Sequence, residues 1–335
     1  MRKFLWLAIA VVVVVALWTA GWFWAVGEAS RQVRLLAEAD GESAPKLTCG
    51  TFDVSGFPFR FDAECLDATL VDRDVTATFA GLKASVLVYN PSHVIFSAKA
   101  PLAYADAFSG SKRRLDFGGM EGSLRLTAGD LMKGFGGEGW RIGRFSVVAD
   151  DLTLTDTVAS EIVEARAKHL EAHLIDDPQQ HDQAAGTSGL MGYLAATALD
   201  LPGLQVAGAD LTAETQLTGV PDDLRAFGDP DALRRWQAAG GTLTLTRLAG
   251  SQAVPDERFE ITGELKLNGG GYPEGQINYT TKGVLERLAH FLPTVQLALL
   301  RGRPEEDGSF SNTLTITDGQ VKLLAVPFAQ LLPLF

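Results

Sequence analysis

The chain has 335 residues, 46% hydrophobic and 21% charged, which excludes a disordered polymer and supplies core for one large domain or two. With 41 acidic against 29 basic residues the formal net charge is -12, so nucleic acid and electrostatic docking on anionic headgroups are not expected. The 35 glycines, set among short alternating apolar runs, point to a mainly β fold whose turns carry them.

Residues 4–26 form an apolar run broken only by Thr19 and Gly21. At the helical rise it reaches ~35 Å, enough to cross a bilayer. Arg2 and Lys3 precede it, so the positive-inside bias holds this end in the cytoplasm and sends the rest across the bacterial inner membrane into the periplasm. Trp18, Trp22, Phe23 and Trp24 mark the exit interface. Ala25-Val26-Gly27 would also serve as a signal-peptide cleavage site, although the apolar core is longer than such peptides carry. The expected organisation is an anchor over residues 1–27, a helical stalk over 28–45 and a first β-rich half over 46–178. A loop over 179–189 then leads to a second β-rich half over 190–335.

Cys49 and Cys65 are the two cysteines. Across the membrane a disulfide is their expected state, since a metal site needs more ligands and a redox pair closer spacing. Between them, two alternating runs meet at a Gly/Pro turn. A symmetric hairpin puts the cysteines opposite each other, but the parity of Phe52 and Val54 against Phe59 and Phe61 then requires a bulge at Gly50 or Gly56.

Further on, strands are expected over 68–71, 75–79, 82–89 and 93–98, with a turn at Asn90-Pro91-Ser92, and a strand pair around Gly118-Gly119. Residues 129–135 suggest a short helix before Gly136-Gly137. Residues 145–156 alternate with a change of face near Asp150-Asp151, and residues 160–177 are ambiguous, since their charges suit a helix while Leu170, Ala172 and Leu174 alternate, a strand being the favoured reading. A helix over 230–239 has full signals: Asp229 to cap it, Pro230 in its first turn and Gly240 at its exit. Residues 284–300 read as an apolar helix broken at Pro293. Asp318-Gly319 suits a two-residue type I′ hairpin turn, which pairs Ile316 with Val321 and Leu314 with Leu323.

The stretch from Cys49 through Phe52-Asp53-Val54-Ser55-Gly56-Phe57-Pro58-Phe59-Arg60-Phe61-Asp62 resembles the start of a bacterial envelope family catalogued as domain of unknown function 2125. Leu233-Arg234-Arg235-Trp236, Gly263-Glu264-Leu265-Lys266-Leu267 and Leu314-Thr315-Ile316-Thr317-Asp318-Gly319-Gln320-Val321 agree with it. The resemblance covers most of the chain and implies no activity. In architecture alone, the chain is also similar to AsmA-like envelope proteins, whose long β-sheets are thought to handle lipid.

Candidate chemistry is sparse. His169 and His173 would share a helix face, but on a strand they stand ~13 Å apart, too far to share an ion. Asp150-Asp151 and Asp176-Asp177 suit turns and edges. No nucleophile elbow or phosphate-binding glycine loop is present. Neither catalytic residue, metal nor cofactor is therefore assigned, and the chain is read as a non-enzyme.

What remains is shape. Gly-x-Leu-x-Leu recurs at Gly122, Gly241 and Gly263, and its leucines, Leu124, Leu126, Leu243, Leu245, Leu265 and Leu267, point in pairs to one side of their strands. The expected fold is one large curved antiparallel sheet, or several, with a few short helices after one transmembrane helix. The function expected is binding of lipid or acyl chains in an apolar groove formed by those leucines. The alternative is a structural or interaction component of the envelope, in which they fill a closed core.

Overall fold

The computed structural model describes residues 2–128, 139–229, 231–253, 255–287, 292–324 and 326–335. Helix α1, Arg2–Glu38, is continuous through the apolar run and into the expected stalk, of which residues 39–45 are not helical. It is long and apolar enough to cross a membrane, and the most apolar stretch of it is unburied. Asp40 stops the chain beyond it by accepting the N–H groups of Glu42 (2.9 Å), Ser43 (2.9 Å) and Ala44 (3.3 Å).

The rest is one antiparallel sheet, eighteen strands among the described residues. Two compact units divide it: one runs to Ser123 and takes back Thr153–Ile162, the other comprises Leu124–Leu152 and Val163–Phe335. The strands begin with β1 (Lys46–Thr48), β2 (Thr51–Ser55), β3 (Arg60–Asp72), β4 (Val75–Leu87) and β5 (Asn90–Asp106). Then come β6 (Lys112–Asp116), β7 (Gly119–Ala128), β8 (Trp140–Asp156) and β9 (Ile162–Asp182). A strand is thus present over most of 160–177, and the change of face in β8 falls where Asp150 and Asp151 are exposed in succession, Asp151 with a φ of 52°.

Cys49 and Cys65 are joined, with Cα atoms 5.3 Å apart. The hairpin that carries them is not symmetric about Phe57. Thr51 pairs with Leu66 and Phe52 with Cys65, so Phe52 shares the face of Cys65, and Cys49 sits in the break between β1 and β2. The irregularity lies at Gly50, whose N–H donates to Leu66 O at 2.9 Å, and at Asp67, which has a positive φ.

Two expected loops are displaced. The turn between β4 and β5 is Val88-Tyr89 and not Asn90-Pro91-Ser92, because Asn90 already pairs with Leu87. The loop over 179–189 shrinks to the turn 183–186, since β9 runs to Asp182 and pairs there with Thr187 of β10 (Thr187–Leu201). That turn closes a hairpin inside one compact unit and does not separate two. The helix expected over 129–135 and the break at Gly136-Gly137 lie outside the described residues.

The remaining elements are β11 (Val206–Pro221), α2 (Ala232–Ala238), β12 (Thr242–Gln252), β13 (Glu257–Leu267) and β14 (Pro273–Lys282). After them come α3 (Val284–Arg287), α4 (Thr294–Arg301), β15 (Arg303–Pro304), β16 (Phe310–Thr317), β17 (Gln320–Leu323) and β18 (Val326–Gln330). The β16–β17 hairpin has the expected register: Ile316 faces Val321, Leu314 faces Leu323, and Asp318 and Gly319 both have positive φ.

Register builds an apolar face on β11–β17. One row across the strands reads Leu217, Leu243, Leu265, Gly275, Ile316, Val321. The next row reads Leu245, Gly263, Ile277, Leu314, Leu323. Helices α3 and α4 cover one end of this face, burying Leu285, Leu297, Leu300 and Leu323 together and packing Tyr279 and Leu314 against them. Pro293 stands at the N-cap of α4, and residues 288–291 of the helix expected before it lie outside the described residues.

Candidate apolar binding site

The other part of the same face lies under α2. Asp229 does not cap this helix as expected: the helix begins at Ala232, slightly inside the expected 230–239, with Asp231 at the N-cap and no side-chain capping bond, while Asp229 accepts the Asp231 N–H at 2.8 Å one step earlier. Pro230 lies outside the described residues. The exit is a Schellman turn: Gly241 N–H donates to Trp236 O at 2.9 Å and Gly240 N–H to Gln237 O at 3.0 Å, with Gly240 in the left-handed region. This turn swings the Trp236 indole over the sheet, where its N–H donates to Thr218 O at 2.7 Å. Gly241 is needed for that approach, since a Cβ there would stand 2.2 Å from the indole nitrogen. The Thr218 and Thr242 hydroxyls, 2.8 Å apart, tie β11 to β12 beneath the helix.

Between sheet and helix is a pocket of about 420 Å³. Leu217, Leu243, Leu265 and Leu267 form its floor, and Phe227, Leu233, Trp236 and Leu334 rise around it. Lys266 borders the floor through its backbone, since on the strand its side chain points to the face opposite Leu265 and Leu267 and lies 4.0 Å from Glu274. The wall bearing Leu334 is the C-terminal segment, held by Leu334 N–H to Gly271 O at 3.0 Å and by the Arg234 guanidinium 4.7 Å over the Phe335 ring. Phe227, Leu233 and Leu334 keep large exposed surfaces at the rim. The size lies within the range of small-molecule sites, and the apolar walls suit a ligand that binds by shedding water.

The six leucines singled out from the sequence are divided by the structure. Leu243, Leu265 and Leu267 line the pocket. Leu245 lies one pleat further along the same face, half buried beside Gly263, and Leu124 and Leu126 are half buried on β7; these three are not among the lining residues. Sequence reasoning missed Leu217, Trp236 and the C-terminal Leu334. Leu217 belongs to no Gly-x-Leu-x-Leu repeat, and Leu334 arrives from the far end of the chain.

The polar groups singled out from the sequence are each paired with a neighbour. His169 and His173 stand on β9, each beside a carboxylate: Asp150 at 2.7 Å and Glu171 at 3.1 Å. No group of three His, Cys, Asp or Glu residues placed to hold a metal occurs among the described residues. A polar depression of about 470 Å³ includes Arg247 and Arg258, but these pair with Glu260 and Asp307. Asp150, Asp151 and Asp176 are paired with His169, Lys168 and Arg141, and Asp177 accepts from Gln216 at 2.9 Å.

A family model described as "Uncharacterized protein conserved in bacteria (DUF2125)" matches residues 22–331. No curated protein matches the chain, and no solved structure does.

Proposed function

Because the chain belongs to the DUF2125 family, whose description assigns no activity, we propose its function from its own residues: a membrane-anchored periplasmic protein that holds an acyl chain of a lipid in the pocket beneath α2. The observation that carries this is the pocket's lining of apolar side chains, open at the rim, on a sheet face whose other end is closed by α3 and α4. The sheet therefore has helices enough to seal one part of its apolar face and leaves another part accessible. An acyl chain would gain ~0.8 kcal/mol for each methylene it buries there, with no catalytic group required.

The anchor and its direction rest on three supports. Helix α1 is long and apolar enough to span. Arg2 and Lys3 precede the apolar run, which favours a cytoplasmic start. The Cys49–Cys65 disulfide follows it, and such bonds persist on the oxidising side. Removal of residues 1–27 as a signal would also strip Trp22, which is buried against the β-rich part.

The test is mass spectrometry of lipids copurifying with the full-length chain and with its Leu265→Asp variant. The wild type should carry a lipid that the folded variant lacks. A folded variant with the same lipid complement would overturn the proposal and leave the structural reading of the envelope protein in its place.

A further inference from the structure

The outer end of the apolar run in α1 is fastened to the tip of the β2–β3 hairpin. Trp22, only 8% exposed, stacks on Phe61 at 5.5 Å and meets Phe57 edge-on at 5.4 Å. Its indole N–H donates to Arg60 O at 3.3 Å. One turn earlier, the Trp18 indole donates to Pro58 O at 3.0 Å, with its ring 6.2 Å from Phe59.

That attachment fixes a depth. Counting from Lys3, a hydrocarbon layer of ~30 Å ends near Phe23 at ~1.5 Å per residue, so Trp22 and the rings packed on it, Phe57 and Phe61, stand at its outer limit. Yet the rings of the tip are not packed away: Phe57 is 49% and Phe59 62% exposed. The neighbouring β4–β5 turn joins them, since Val88 N–H donates to Phe59 O at 3.0 Å and Tyr89 beside it is 75% exposed. Arg60, the cation at the tip among the described residues, is paired with Asp62 at 2.6 Å. Aromatic rings at this level match the chemistry of the membrane–water interface.

We propose that Phe57, Phe59 and Tyr89 insert into the outer interface of the bilayer that α1 spans, a second membrane contact made by the sheet itself. It rests on the anchor reading above and is separate from the acyl-chain pocket. Insertion of rings needs no basic patch, which suits a chain of net charge -12. The bilayer so placed holds the hairpin end of β2–β5 against the membrane. Phe108, 89% exposed in the β5–β6 turn, lies at the other end of the same strands, where Asp106 pairs with Val75.

The test places p-benzoylphenylalanine at Val12, Phe59 or Phe108 of the full-length chain, reconstituted into phosphatidylcholine vesicles with tritiated lipid and irradiated. Val12, exposed on α1, reports the anchor. Labelling at positions 12 and 59, several-fold above position 108, is the expected result. Labelling at 12 with only the position-108 level at 59 overturns the insertion and leaves the anchor standing. Position 12 at background overturns both. Cross-linked protein dimers at 59 in place of lipid adducts would show that the tip meets a second copy, and overturn it as well.

Discussion

Leu323 and Leu265 occupy the same apolar face and differ in what stands over them. Leu323 is 1% exposed under α3 and α4, whereas Leu265 looks into the pocket. Leu323→Ala should cost about 2–5 kcal/mol, the lost transfer energy plus the cavity left among atoms that relax only partly. Leu265→Ala should cost clearly less, because the removed atoms face space and forfeit fewer contacts. Urea unfolding of both full-length variants decides it, and equal costs would mean that the pocket is closed core in solution. The parity of these leucines was legible, since alternate residues of a strand share a face. Which of them line a void was not legible, because that depends on the Schellman turn at Gly240-Gly241 and on where Trp236 lands.

At the scale of single elements, local signals were read well where the turn chemistry is strict. Asp318-Gly319 tolerates positive φ at both positions, and the register of β16–β17 follows from it. Asn90-Pro91-Ser92 carries turn-forming residues too, yet the turn fell on Val88-Tyr89, where pairing of Leu87 with Asn90 closes a tighter hairpin. The asymmetry of the disulfide hairpin likewise depends on the pairing of β1 with β3, a long-range contact with no local signature. The turn after α1 makes a pH prediction. Backbone and Ser43 hydrogen bonds hold the Asp40 carboxyl down at about 2. A folded pKa below the ordinary ~3.9 means that the turn's stabilisation is complete above that value and is lost as pH falls through about 2. The Ser43 amide resonance should titrate with a midpoint near that lower value and lose this inflection in Asp40→Ala; a wild-type midpoint near the ordinary carboxylate value would contradict the hydrogen-bonded turn.

For the whole molecule, the apolar run, the β-rich composition and the cysteine pair were enough to foresee a helix able to span a bilayer, a mainly antiparallel β fold and the Cys49–Cys65 bond. The division into units was not foreseeable. One unit takes back Thr153–Ile162 after the chain has left it, and β8 contributes to both, so no linker marks the boundary. The pocket is assembled in the same non-local way, from β11–β14, α2 and the C-terminal segment. An acyl chain is the proposed occupant of this pocket. That occupancy is tested most directly by irradiating the full-length chain with a diazirine-bearing fatty acid and locating the adducts by peptide mass spectrometry. Adducts should concentrate in peptides covering residues 227–236 and 265–273 and disappear with excess unlabelled fatty acid; adducts confined to α1, with none on those peptides, would contradict the account.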